Sequence, residues 1–193
     1  MSAWRPRTRY VTEVIALLAE RAPDLREAMR IAARKAYVIL DGALAPIDRL
    51  SGAGDRLYYS GKHHRHGVNI QFLTDPHGRL IWASPVLPGS THDLTAARVH
   101  GIIDALTGRA IACYADKGYV GAGAIGTPYK RRKRRRPGKR KKLFNRHHAQ
   151  VRALGEQGAA TLKAWHILRK ARCSPSRLTT IVQAILTLHH HAH

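Results

Sequence analysis

Three carboxylates in this chain stand where their residue types and neighbours could do chemistry. Asp41 closes the short apolar run Tyr37-Val38-Ile39-Leu40, and Asp116 closes Ala110-Ile111-Ala112-Cys113-Tyr114-Ala115; glycine follows each within two residues. An apolar run ending on Asp and then Gly reads as a buried strand that delivers a carboxylate to a sheet edge where the backbone turns away. The third is Glu156. Up to Asp116 the chain carries 15 Lys+Arg against 11 Asp+Glu, whereas beyond it there are 19 Lys+Arg and Glu156 as the single acid. Neighbouring strands lie ~4.8 Å apart, so if the two runs pair, Asp41 and Asp116 sit side by side and repel unless a cation lies between them. Hard divalent ions such as Mg²⁺ are held in this way, by a few carboxylates and the phosphate oxygens of a substrate. Two such ions can activate a water or hydroxyl on one side of a phosphodiester and stabilise the leaving oxygen on the other. The same residues also have plainer uses. Asp-Gly is a turn signal, Glu156 can form an i,i+4 ion pair with Arg152, and His63, His64 and His66 read as polar loop residues.

Composition narrows the partner. The formal charge is +22 at pH 7 over 193 residues, with an apolar fraction of 44% that suits a globular body. A charge of this size repels itself and points to a polyanion, with nucleic acid as the default. A membrane surface fits less well, because the densest basic block has no apolar helix face beside it. That block is Lys130, Arg131, Arg132, Lys133, Arg134, Arg135, Arg136, Pro137, Gly138, Lys139, Arg140, Lys141 and Lys142. It reads as a loop that meets phosphates, and taken alone it would also suit a nucleic-acid arm or a localisation patch. Cys113 and Cys173 lack metal-type spacing and read as reduced thiols of a cytoplasmic protein. No apolar run approaches the ~20 residues of a membrane span, and no signal-peptide pattern is present.

The elements that must position the carboxylates follow from periodicity. Residues 10–36 predict two helices broken at Pro23-Asp24. The Asp41 strand comes next, then a turn-rich stretch to Arg65. A strand over Val68–Leu73, a tight turn at Asp75-Pro76-His77-Gly78 and a returning strand over Leu80–Leu87 predict a hairpin. Ser90 or Thr91 can cap a helix over His92–Leu106, and the Asp116 strand follows it. A helix over Asn145–Ala171 has Val151, Leu154, Leu162, Trp165 and Leu168 on one face and Arg152, Glu156 and Lys163 on the other. Gly155 and Gly158 each weaken it by roughly 1 kcal/mol relative to alanine. A last amphipathic helix runs over Leu178–Leu188, ahead of a His-rich tail at 189–193.

As a set, these motifs resemble the DDE transposases of bacterial insertion sequences, most of all the DDE superfamily endonuclease branch related to the Harbinger transposases. The resemblance is carried, in order, by Val38-Ile39-Leu40-Asp41-Gly42 with Asp48-Arg49, Tyr59-Ser60-Gly61-Lys62-His63, Asn69-Ile70-Gln71 and Pro88-Gly89-Ser90-Thr91-His92-Asp93. It continues through Ala115-Asp116-Lys117-Gly118-Tyr119 and ends on Arg152, Glu156 and Lys163. It implies an α/β fold similar to ribonuclease H, a mixed five-stranded sheet flanked by helices, with its first and fourth strands adjacent and the basic loop as an insertion. It implies Asp41, Asp116 and Glu156 as catalytic metal ligands in a two-metal site for Mg²⁺ or Mn²⁺, with Asp93 a close competitor read as structural. Arg152 and Lys163 would join the basic block in contacting DNA. The implied activity is metal-dependent cleavage of DNA at the element's ends and strand transfer into target DNA, with a homodimer left open. The implied division is a helical segment over 1–36, a catalytic domain over 37–188 and the tail. Relative to the family, the N-terminal helix-turn-helix region is lacking, Ala149 stands where a tyrosine is expected, and Ala43 where a threonine is common. The alternative is a catalytically inactive remnant or a non-enzymatic nucleic-acid binder.

Overall fold

The computed structural model describes residues 4–48, 54–130 and 138–192. Two helices open the chain, α1 (Trp4–Glu20) and α2 (Leu25–Ala32), separated where the Asp24 side chain accepts a hydrogen bond from the Glu27 amide and caps α2. Strand β1 (Val38–Pro46) follows, then a short helix α3 (Gly54–Tyr58) and the two-residue strand β2 (Tyr59–Ser60). The chain continues through β3 (Arg65–Thr74), β4 (Leu80–Ala83), β5 (Leu87–Pro88), α4 (Asp93–Val99), α5 (Ile102–Thr107) and β6 (Cys113–Ala115). Two long helices close it, α6 (Lys139–Ala164) and α7 (Pro175–His191).

The sheet is mixed. β3 pairs antiparallel with β1 from Ile39↔Thr74 to Pro46↔Gly67, and on its other edge with β4 and β5. β6 lies on the far side of β1 and runs parallel to it, with Val38 opposite Cys113 and Leu40 opposite Ala115. Among the described residues the sheet has six strands instead of five, with the short β2 paired to the start of β3 and the returning strand split in two. Ser84 and Pro85 interrupt it, and Ser84 stays tied to Gln71 by its amide (2.7 Å to the Gln71 carbonyl) and by its hydroxyl, which accepts from the Gln71 amide. Among the described residues, the sheet extends beyond β6 as a single parallel bridge from Tyr114 to Gly126. At the hairpin tip, Asp75 accepts from the amides of His77 and Arg79 and pairs with Lys35 at 3.2 Å.

Helix α6 crosses one face of the sheet, and its glycines are the contact points. A β-carbon on Gly155 would lie 2.7 Å from Ile39 Cγ2, and one on Gly158 would strike Thr74 and come within 3.2 Å of Phe72. The glycines therefore let the helix backbone approach β1 and β3 more closely than alanine would permit. The helix starts at Lys139, earlier than the expected Asn145, so Lys139, Arg140, Lys141 and Lys142 belong to its first turn instead of a loop. It stops at Ala164, earlier than Ala171, and Trp165 leaves helical geometry and is 40% exposed, off the expected apolar face. The expected helix over 92–106 is two helices, because Gly101 adopts a left-handed conformation (φ 68°), and neither Ser90 nor Thr91 caps it. Helix α7 packs on α1 and β4 and continues into the histidines. His190 is half-buried and bonded to the Leu80 carbonyl at 3.1 Å, so the histidines are part of a packed helix and not a free tail. Among the described residues no helix is long and apolar enough to cross a membrane.

Candidate active site at the β1–β6 edge

The pairing of β1 with β6 ends at Leu40 opposite Ala115, and Asp41 and Asp116 are the next residue on each chain, near enough for the charge of Asp116 to act on Asp41. The two Asp-then-Gly signals have different structures. At Asp116 the chain does turn: its carboxylate accepts from the Gly118 amide at 2.6 Å and caps a 3₁₀ turn over Lys117–Tyr119. At Asp41 it does not, because β1 runs straight on through Gly42 to Pro46, held by β3 along its length. Gly42 is needed there for space. A β-carbon would fall 2.6 Å from Asp93 Oδ1 and 2.8 Å from Gln71 Nε2.

Asp93 is the third acid at this edge. Its Oδ1 lies against Gly42, and its Oδ2 would be 3.2 Å from a β-carbon on Gly118, so the carboxylate spans from β1 to the turn after β6. It is held there by a buried polar chain. Asn69 Nδ2 donates to Asp93 Oδ1 at 3.0 Å, and Gln71 Nε2 donates to Asn69 Oδ1 at 2.7 Å. The Tyr119 hydroxyl in turn donates to Gln71 Oε1 at 2.6 Å. Lys62 Nζ reaches Asp93 Oδ2 at 2.9 Å from the turn between β2 and β3. Sequence reasoning named these residues as motif members and gave none of them but Asp93 a place in the site. A signal was present all the same: Asn69 and Gln71, two apart on a strand, put polar groups on one face of an otherwise apolar run.

The three acids feel one another. Burial raises the Asp41 carboxyl above the ordinary carboxylate range. The Gly42 amide and the Arg152 guanidinium pull it back down, while the charges of Asp116 and Asp93 push it up further. Burial by itself would lower the Lys62 ammonium, but the hydrogen bond and charge of Asp93, with Asp116 and Asp41 behind it, raise it. The Tyr119 hydroxyl is raised well above its usual value by burial and the same three carboxylates.

Glu156 is exposed on α6, and among the described residues it forms no ion pair with Arg152. Arg152, one turn earlier, is the cation whose charge reaches Asp41. Lys163 is two turns further on and lines a cavity with Gly42, His63, Arg65 and Arg169. Of the basic block, Arg131–Arg136 lie outside the described residues, Lys130 is exposed, and Lys139–Lys142 form the exposed N-terminal turn of α6. Four cations at the positive end of a helix dipole are unfavourable until an anion joins them. The start of that helix is tied down, with Asn145 exchanging two hydrogen bonds with the Tyr129 backbone and Lys141 lying over the Tyr129 ring at 5.3 Å.

Among the described residues no three His, Cys, Asp or Glu side chains converge closely enough to enclose a metal ion. The donor chemistry nevertheless fits a hard divalent cation. Asp41 and Asp116 each commit one oxygen to a backbone amide and keep Oδ2 without a hydrogen bond among the described residues, and Asp41, raised by burial and by the charges of Asp116 and Asp93 despite Arg152, is in a state that a divalent cation would relieve.

A family model described as DDE superfamily endonuclease matches residues 40–190, and the chain belongs to that family. It is also similar to a candidate transposase for insertion sequence element IS112 of Streptomyces albus G, with 31% identity over 160 residues. That alignment covers 81% of this chain and 59% of the relative, so the chain spans about three-fifths of the relative's length. No solved structure matches the chain.

Proposed function

We propose that the chain is a transposase catalytic domain that cleaves DNA at insertion-sequence ends and transfers the freed strand to target DNA. What carries this reading is the β1–β6 pairing that brings Asp41 and Asp116 together at its end, with Asp93 beside them, in a protein of formal charge +22. We take the strand order β4–β3–β1–β6, antiparallel except for β6, as a ribonuclease H-like arrangement with its fifth strand reduced to the Gly126 bridge. Asp41 and Asp116 would hold Mg²⁺ or Mn²⁺ through their uncommitted oxygens, with Glu156 as the family's third carboxylate. Divalent ions bound there supply an activated oxygen nucleophile and stabilise the leaving oxygen. The protein's own part is to hold the two aspartates rigidly by β-pairing and backbone amides, to keep Arg152 near Asp41, and to gather phosphates on cations. Lys130–Lys142 give affinity without sequence preference, so binding should fall steeply with salt, while Arg152 and Lys163 would contact the DNA of the element's ends. DNA is the partner, and residues 37–188 are the catalytic unit.

The test compares Asp41→Asn, Asp116→Asn and Glu156→Gln on an end-labelled duplex, measuring binding and cleavage separately. Binding should survive in all three. Cleavage should fall by roughly 10²-fold or more where a charge-stabilising group is lost. Binding without cleavage in the unaltered protein would instead favour a nucleic-acid binder or an inactive remnant.

A further inference from the structure

Lys62 is held in the acidic cluster by a contact that stability does not explain. Its side chain is 56% exposed and Asp93's is 12% exposed, and an ion pair with so exposed a partner adds little to folding. The ammonium is presented on the tight turn Gly61–His64, where His64 has a left-handed backbone (φ 50°) and nothing packs on Gly61. It projects from the wall of a cavity of about 230 Å³ that opens beside Asp93 and Gly42. On the other side of His63 lies a second cavity of about 470 Å³, rimmed by Arg65, Lys163 and Arg169 over Leu44 and Leu168. Lys62 is hydrogen-bonded to Asp93 and feels the charges of Asp116 and Asp41, and Arg65, Lys163 and Arg169 gather around the neighbouring cavity.

We propose that Lys62 has two positions. In the metal-free protein its ammonium neutralises Asp93. With DNA bound it leaves Asp93 and donates hydrogen bonds to the phosphate being cleaved, while the next phosphates follow Arg65, Lys163 and Arg169. A divalent ion on Asp41 and Asp116 would repel an ammonium that sits on the adjacent Asp93 and feels those same two charges, so the lysine must yield. A compact charge on a flexible four-carbon stem is suited to yielding, and a phosphate under attack is where a mobile cation stabilises most. No proton or bond is exchanged by the lysine. The proposal rests on the function proposed above, and its test separates the two.

Mn²⁺ binding to the full chain without DNA is titrated by electron paramagnetic resonance, for the unaltered protein and for Lys62→Ala. Cleavage is then measured at saturating Mn²⁺, with Lys62→Arg alongside. Lys62→Ala should bind Mn²⁺ more tightly, by roughly two- to fivefold, the equivalent of one partly exposed ion pair. It should nevertheless cleave more slowly, by roughly 10²-fold, with Lys62→Arg recovering part of the rate. Unchanged or weaker Mn²⁺ binding would overturn the resting position on Asp93. Unchanged cleavage would overturn the contact with the phosphate. If the unaltered protein cleaves nothing, the proposed function fails and the phosphate contact fails with it, while the Mn²⁺ titration still decides whether Lys62 occupies the acids.

Discussion

At the scale of single residues, the site is a set of close approaches that glycine permits. Gly42→Ala would place a methyl group 2.6 Å from Asp93 Oδ1, and β1 is clamped by β3, so Asp93 must move. The expected loss is about 1–3 kcal/mol of stability, typical of overpacking, with a parallel fall in any DNA cleavage; urea denaturation reads the first and a nicking assay the second. An unchanged denaturation midpoint would mean that Asp93 does not press on Gly42. Asp41 allows a prediction of opposite sign. Its carboxyl is raised in the folded state by burial and by the neighbouring acids, so the folded protein binds this proton more tightly than the unfolded chain does. The penalty for its ionised form is absent below the ordinary carboxylate pKa, sets in as pH rises through it to the raised value, and is complete above. Asp41→Asn removes that charge with little change of shape. In chelator near pH 7 it should raise the melting temperature by up to a few degrees, with the gain shrinking as pH is taken down to about 4. A lowered melting temperature would show that the charge is stabilised and not strained.

At the scale of elements, α6 decides how the site is roofed. Gly155→Ala and Gly158→Ala should each destabilise the protein by about 1–3 kcal/mol, because a β-carbon meets Ile39 in one case and Thr74 and Phe72 in the other. Helix propensity taken alone predicts the reverse, a gain of ~1 kcal/mol per substitution, so thermal or urea unfolding separates packing from propensity by sign. This is also where the limits of the sequence are clearest. The strands were legible because Val38-Ile39-Leu40 and Cys113-Tyr114-Ala115 are short apolar runs, and their parallel pairing put Asp41 beside Asp116 as expected. The meaning of the glycines was not legible, because the residues they make room for, such as Asp93 beside Gly42 and Ile39 beside Gly155, lie far away in the chain. Asp-Gly at 41–42 follows the pattern of a turn, yet it is strand, because pairing with β3 from Ile39 to Pro46 outweighs a local preference. The division of the 92–106 helix turned on the left-handed conformation of Gly101, which periodicity does not register.

At the scale of the whole molecule, a formal charge of +22 surrounds a small acidic edge. The basic block should dominate affinity for DNA without dominating its chemistry. Replacing Arg131, Arg132, Arg134 and Arg135 together by alanine should flatten the slope of log K against log salt by about 3–4, at ~0.9 for each phosphate that is no longer neutralised. A slope that does not change would place the DNA elsewhere on the surface. Everything proposed for the site depends on whether the carboxylates of the β1–β6 edge cut phosphodiesters with divalent ions, and nicking of supercoiled plasmid at low salt decides it. The unaltered chain and Asp116→Asn are each assayed with Mn²⁺, with Mg²⁺ and with chelator. Nicking by the unaltered chain should need the metal and disappear in Asp116→Asn, while both proteins still bind the plasmid. Nicking that survives Asp116→Asn, or folded protein that binds the plasmid and never nicks it with either metal, would rule that chemistry out.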